Sequence, residues 1–543
     1  IGFAVHPACG QERGLRMSLF NARAASAAIV ILASLSGLAR ADVITDWNDT
    51  YLSVIRAFGG APCPISRAGP MLNLAMYDAV NSIDRVNNFS ASFKPYQHGL
   101  EVPPANASRE AAAAAAGYTI LSNSYPMISD ELPILGVLIQ GRYDALLAEI
   151  PDGPEKSNGI AFGNSVAWHL LFHRFTDGYD GNPTYVQGGQ PGDWRVTPDG
   201  PIVQPFTPHW GNVTPWGIED GHMFRPTRLT DYGTMANLLA SQEYADQING
   251  SIDVPGVKDL GARFSASRTA DQTEAAWFWA NDRDGTSKPP GQLIQMTQIV
   301  SAQQGLTLSQ NARLFGLVGL GLGDACVAAW DAKYNTHIDL WRPIDAVRET
   351  LDDGNPQTTA DTGWLPLNDF TPPFPAYVSG HATFGAVHAS IMAQYFGTDD
   401  MTFTLGSDEF AANPGLGYPA NLSRTFQKFS DAAWENAMSR VWLGVHFYFD
   451  ALDGNTMGHQ VGEYIFAHHL RPVPSGPCPA DMIIDGFVED LDFVTFADQY
   501  NVFDCTLSAM PAFCSADLNG DGLVDDADFV LFAEAYDAFI CPE

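Results

Sequence analysis

Apolar residues return at three- to four-residue intervals in ten stretches of this chain. They are Ala68–Ile83, Arg109–Ser122, Ser129–Ile150, Lys156–Arg174, Thr234–Asn249, Leu293–Gln304, Ser309–Lys333, Ala382–Tyr395, Phe426–His446 and Asp453–Leu470. That period predicts amphipathic helices, and no comparable run alternates with the period of a strand. Alanine and glycine sit at close-packing positions in several of them, notably the Gly-x-x-x-Gly spacings at Gly454, Gly458 and Gly462. The pattern therefore predicts an all-α helical bundle whose members approach closely. Between two of the helices, Phe175–Thr230 is rich in Gly, Pro, Trp and Asp and has no period. Two readings stay open for it: a lid or channel wall, or a wrapping around the bundle.

Beyond the bundle, Pro472-Val-Pro-Ser-Gly-Pro477 reads as a linker, residues 472–477. It leads into an internal repeat with a period of 36 residues. In the second copy Asp517, Asn519, Asp521, the Leu523 carbonyl, Asp525 and Asp528 fall on the ligand positions of a calcium loop, with Gly522 at the sharp turn. In the first copy Ile483 replaces one ligand, which leaves Asp481, Asp485, Glu489 and Asp492 as weaker candidates. Residues 478–543 are thus expected to form a small α-helical calcium-binding module. The repeats resemble dockerin repeats, which implies a cohesin-like protein partner. Cys478, Cys505, Cys514 and Cys541 keep one spacing in both copies, and the simplest pairing is one disulfide per repeat. The alternative joins Cys478 to Cys541 and Cys505 to Cys514. Cys326 reads as a buried core thiol, and Cys63 carries no assignment.

At the other end, Met17 is a credible start, followed by Arg23, the apolar stretch Ala24–Leu38 and the cleavage-like Ala39-Arg40-Ala41. Residues 1–41 are expected to be an upstream extension and an export signal. The catalytic region is then 42–471, and the mature protein is secreted or periplasmic, with no transmembrane segment. The net charge of −34 argues against nucleic acid and anionic membranes as partners.

Three separated segments carry candidate chemistry: Lys333…Arg342-Pro343, Ser379-Gly380-His381 and Ser439-Arg440…His446. Together they offer three cations, a glycine-adjacent backbone and two histidines, a set suited to a tetrahedral oxyanion. One spacing is awkward. Lys333 and Arg342 are nine apart, and on an uninterrupted helix about 900° of rotation puts them on opposite faces. A two-residue insertion within Asn335–Asp339, absorbed by a bulge or a break, reconciles them. His337 lies in that insertion and becomes a substitute polar ligand if the bulge turns it inward; His388 reads as a satisfied helix histidine, with a site-facing reading open, and His459 as a packing position.

The strings Thr371-Pro-Pro-Phe-Pro-Ala-Tyr-Val-Ser-Gly-His-Ala-Thr-Phe-Gly385 and Ser439-Arg-Val-Trp-Leu-Gly-Val-His-Phe-Tyr-Phe-Asp450 resemble the motifs of the vanadium-dependent haloperoxidases. That family shares its helical fold and site with type 2 phosphatidic-acid phosphatases and bacterial acid phosphatases. One departure is Val378, where the family usually has proline. The resemblance implies vanadate held by Lys333, Arg342, Ser379, Gly380, His381 and Arg440 and bonded through His446. It implies His381 as the acid–base toward hydrogen peroxide and Lys333 polarising the bound peroxide. Halide is then oxidised to hypohalous acid, which halogenates an organic acceptor. Phe374, seven before His381, resembles the chloroperoxidase version and is the halide-pocket candidate, so chloride or bromide is expected. Asp450 is expected to orient His446 from one helical turn away, or else to be a capping carboxylate. The resemblance also implies a homodimer. Two rival readings stay open: an acid phosphatase working through a phosphohistidine at His446, and a non-catalytic scaffold displayed on the calcium module.

Overall fold

The chain divides into two compact units, Ile1–Ala41 and Asp42–Glu543. The computed structural model describes residues 42–543 apart from 88–92, 98, 105, 125–132, 198–203, 351–352, 473–479, 483–487, 506, 508–509, 511–513, 519–521 and 539–543. The expected export signal therefore lies outside the described residues.

The described chain is predominantly helical. Its central members are Leu308–Tyr334, Pro62–Asn87, Gly380–Phe396 and Tyr448–His468. The first two run along each other through a glycine seam. A Cβ on Gly319 would lie 3.1 Å from the Pro70 Cα, and one on Gly323 would lie 3.0 Å from the Pro70 Cγ. The last two meet through the Gly454, Gly458 and Gly462 spacing. Cβ atoms there would stand 2.8 Å from Ser379 O, 2.5 Å from Thr383 O and 2.7 Å from Ser390 Cβ. Glycine at these positions is what lets the second helix lie against the backbone that begins at Ser379. Leu308–Tyr334 is long and apolar enough to cross a membrane by length and composition, yet 94% of its apolar window is buried among other helices. It is the core helix of the bundle.

Several boundaries differ from the periodic reading, each for a local reason. Thr234–Asn249 is two helices, Met235–Leu239 and Gln242–Asn249, because the Ser241 side chain caps the second by accepting from Tyr244 N at 3.1 Å. Phe426–His446 opens as a strand, Ser423–Lys428, which pairs antiparallel with Asp400–Gly406; the helix proper is Phe429–Trp442. His446 therefore lies beyond the helix end. Asp453–Leu470 starts earlier, at Tyr448. Helices Val43–Phe58 and Ala270–Phe278 lie outside the ten periodic stretches.

The unperiodic segment 175–230 is an anchored wrapping. Asp324, buried in the core helix, accepts from Trp216, Gly217 and Ile218 N at 2.6–2.8 Å. Arg225 forks onto Asp331 and Arg228 onto Asp453. Phe206 N donates to Pro373 O at 3.0 Å, so the wrapping touches the loop that leads to Ser379.

In the C-terminal repeats, helices Asp490–Tyr500 and Asp526–Ala538 pack through Phe496 and Phe532, with ring centroids 4.9 Å apart. The two copies repeat one hydrogen-bond pattern. Asp492 accepts from Met482 N and Glu489 N, and Asp528 accepts from Leu518 N and Asp525 N, each pair at 2.6–3.0 Å. Asp517 accepts from Gly522 N at 2.8 Å. Of the two cysteine pairings left open, the structure has Cys505 bonded to Cys514, as in the alternative, and not one disulfide per repeat. The reason is that Gln499, at the end of the first helix, hydrogen-bonds Ser515 and Ala516 and draws the two copies together at that point. Cys478 and Cys541 lie outside the described residues, as do Asp485, Asn519 and Asp521. Among the described residues no three His, Cys, Asp or Glu side chains are placed to hold one metal ion.

Replacing Gly458 by alanine forces a methyl onto Thr383 O. We expect it to destabilise the bundle by about 1–3 kcal/mol, read as a lower unfolding midpoint, whereas alanine at the open, solvent-facing Gly136 moves it little.

Candidate active site

The three motif segments converge although no single helix carries them. The Leu308–Tyr334 helix stops one residue after Lys333, with Asn335 as its C-cap. The chain bends through 335–337, Leu340 bridges Asp193, and Arg342 becomes the N-cap of Pro343–Arg348. Helical phase therefore does not relate Lys333 to Arg342. Both are fully buried, and both flank the Phe374 ring, at 5.0 and 4.8 Å from its centroid. His337 is exposed, which removes it as a substitute ligand. His388 is a core residue held by Thr297 Oγ1 at 2.9 Å.

His446 is held from both sides. Its Nδ1 lies 2.9 Å from Asp450 Oδ2, and its Nε2 lies 3.1 Å from Arg342 Nη1. A guanidinium can only donate, so Nε2 carries the lone pair and Nδ1 the proton. Asp450 reaches the ring from the third position of the Tyr448–His468 helix, where Oδ2 also accepts from Phe447 N at 3.0 Å. The shared helical face expected from the four-residue spacing is replaced by this capping geometry. The second carboxylate oxygen, Asp450 Oδ1, is buried without a partner among the described residues. Burial drives the Asp450 carboxyl up to about 7, against the pull of the Phe447 N–H and of the Lys333 and Arg342 charges. The His446 imidazole is pushed well below its ordinary value by burial and then by Arg342, Lys333 and Arg440.

Arg342 donates Nε to Phe374 O at 2.7 Å and Nη1 to Val445 O at 2.6 Å, and its Nη2 has no partner among the described residues. Arg440 donates Nη2 to Asp282 at 2.6 Å, while its Nε and Nη1 are buried without partners among the described residues. Asp282 is a functional candidate that sequence reading missed. It lies on a loop with no motif, and only folding brings it to Arg440. Ser379 caps the Gly380–Phe396 helix, and its own N–H donates to Asp450 O at 3.0 Å. The helix thus opens beside the guanidinium groups with first-turn N–H groups that have no intrahelical acceptor. His381 donates Nε2–H to Ala280 O at 3.1 Å, leaving Nδ1 as its basic nitrogen. Burial, and after it the Arg440 charge, depresses this imidazole to about 3.

Lys333 reaches the cluster but turns elsewhere. Its ammonium donates to the carbonyls of Pro375, Ala376 and Val378, which accounts for all three of its hydrogens. Burial and Arg342 lower its pKa well below that of an ordinary lysine. The structure therefore places Lys333 as the clamp on the backbone that enters Ser379.

A tetrahedral oxyanion fits these donors. Unpartnered buried guanidinium N–H groups are costly, and Lys333, Arg342 and Arg440 outnumber the nearby carboxylates Asp450 and Asp282 by one charge. An anion accepting from Arg342 Nη2, Arg440 Nε and Nη1 and the first helical N–H groups would remove both deficits.

Comparison with known proteins agrees with this geometry. Residues 313–474 match a family model described as the VCPO second helical-bundle domain. The chain is 28% identical over 491 aligned positions to vanadium chloroperoxidase of Curvularia inaequalis, covering 75% of this chain and 78% of that protein. Its fold superposes on a bacterial vanadium-dependent iodoperoxidase with a TM-score of 0.58 at 20% identity, covering 80% of this chain and 96% of that one. For a holo-type bacterial vanadium-dependent chloroperoxidase the TM-score is 0.55 at 16% identity, with coverage of 80% and 98%. The fold is the helical vanadium haloperoxidase fold.

The His381 assignment has a measurable consequence. A histidine depressed from 6.5 to about 3 binds its proton more readily in the unfolded chain, so it withdraws stability as pH falls through that window. In ¹³C-histidine spectra assigned with His381→Asn, its resonance should stay neutral down to about pH 4 in the free protein. Adding phosphate or vanadate should raise its pKa, because an anion offsets the Arg440 charge.

Proposed function

We propose that this protein is an exported vanadate-dependent haloperoxidase that uses hydrogen peroxide to oxidise chloride or bromide, releasing hypohalous acid toward organic acceptors. The observation that carries the reading is the set of unpartnered guanidinium N–H groups on Arg342 and Arg440 beside the His446 Nε2 lone pair. Arg342, Arg440 and the Gly380 N–H would hold the oxygens of vanadate, with His446 Nε2 as the nitrogen facing it and the Ser379 hydroxyl within the same cap. When bound, vanadate supplies a Lewis-acidic centre that activates peroxide without changing its own oxidation state. The chain's own work is positional and acid–base. Asp450 keeps His446 in the tautomer whose Nε2 carries the lone pair. Asp282 fixes the direction of Arg440. His381, neutral and buried, takes a proton from peroxide through Nδ1. Lys333 holds the 375–378 backbone so that the Ser379 cap keeps its position. Phe374, half-buried between two cations and 5.0 Å from the Trp330 ring, gives halide an apolar wall with a positive rim.

The expected outcome is halogenation that requires vanadate and is lost in His446→Ala. Arg440→Ala should lower kcat by about 10²–10³-fold, the usual cost of one electrostatic donor. The readout is bromide- and chloride-dependent halogenation by protein stripped of phosphate and reconstituted with orthovanadate. Hydrolysis of an aryl phosphate without halogenation would instead establish the phosphohistidine chemistry, and silence in both assays would establish a scaffold.

For the C-terminal repeats we propose a calcium-dependent docking module of dockerin type, supported by the loop spacing and by the matching Asp492 and Asp528 backbone bonds of the two copies. Calcium titration followed by calorimetry should show binding that Asp517→Ala removes. Unchanged binding in that variant excludes the second loop as a site.

A further inference from the structure

On the Pro154–His173 helix, far from the motif segments in sequence, two histidines one turn apart face each other at the surface. His169 and His173 place their Nε2 atoms 3.3 Å apart, with ring centroids at 4.4 Å and planes at 59°. That separation exceeds the usual N–H donor distance of about 2.7–3.2 Å. It equals the edge of a tetrahedral site: two nitrogens each about 2.0–2.1 Å from one zinc ion stand about 3.3–3.4 Å apart.

The tautomer of His169 is set by a chain of partners. Asp78 accepts from Tyr96 N, Gln97 N and Gln97 Nε2, the last at 3.0 Å, so the Gln97 amide turns its NH2 to the carboxylate. Its Oε1 is then left facing His169 Nδ1 at 3.0 Å and accepts that proton. His169 Nε2 is therefore the lone-pair nitrogen, directed at His173. A ligating histidine whose second nitrogen is fixed by an amide or carboxylate is the ordinary support for metal binding. His173 is exposed, and the strongly acidic chain draws cations to its surface.

We propose that His169 and His173 form a two-histidine chelate for a divalent late-transition cation, zinc or copper(II), with water completing the coordination. Imidazole nitrogen and a four-coordinate edge suit these ions better than calcium or magnesium, which prefer oxygen. The site is separate from the oxyanion cage and does not depend on the halogenation reading.

The test is calorimetric titration of zinc into the full chain at neutral pH with calcium in excess, so that acidic loops do not compete. Wild type should bind one zinc equivalent more than His173→Asn or His169→Asn, or bind it at least about tenfold more tightly. Zinc should also raise the unfolding midpoint of wild type and not that of His173→Asn, whose midpoint without metal should be unchanged because the side chain is exposed. Equal stoichiometry and affinity in wild type and both variants would overturn the proposal, as would the absence of zinc binding by wild type.

Discussion

The site rests on the burial of three cations close together. Lys333, Arg342 and Arg440 are each at most 1% exposed, and three like charges in a low-dielectric interior repel unless their surroundings answer them. The answer is divided among different parts of the chain. Backbone carbonyls take Lys333, Asp282 takes one edge of Arg440, and Phe374 O and Val445 O take two edges of Arg342. Asp450 supplies the remaining negative charge from within a helix cap. Some of the guanidinium N–H groups have no acceptor among the described residues, and that remainder suits the proposed oxyanion.

Asp450 links this electrostatic arrangement to the fold. The same carboxylate oxygen satisfies Phe447 N and His446 Nδ1, so the start of the Tyr448–His468 helix and the orientation of the histidine are one event. The Asp450 carbonyl in turn accepts from Ser379 N, which joins that helix to the cap of Gly380–Phe396. The close approach of the two helices depends on Gly454, Gly458 and Gly462. The acid, the cap and the glycine seam therefore form a single mechanical unit. The wrapping of 175–230 secures it from outside, through Arg228 on Asp453 and Phe206 on Pro373.

Much of this architecture is legible in the sequence, for identifiable reasons. The core helices appear in the periodicity because each buries a continuous apolar face. The cage residues appear in three motifs because oxyanion chemistry requires cations and histidines of few types. Two features escape. The hairpin Asp400–Gly406 with Ser423–Lys428 is hidden because its second strand runs on into a helical period. Asp282 is hidden because a single carboxylate in a loop has no signature until its guanidinium partner arrives. The Cys505–Cys514 bond is one of two pairings the equal spacings allow, and the packing of Gln499 against Ser515 and Ala516 selects it by bringing the two copies together.

By itself the sequence determined the helical class, the repeat at the C-terminus and which cations and histidines to look for together, since these depend on local period and residue chemistry. Tertiary structure decided what each donor does. Lys333 and Arg342 look out of phase by helical geometry, but the helix ends at Tyr334 and phase no longer applies. Lys333 then turns to three carbonyls of a loop more than forty residues away, which no local pattern encodes. Hydrogen-bond partners of buried charges are chosen by which chain segments meet, and only the folded chain brings them together.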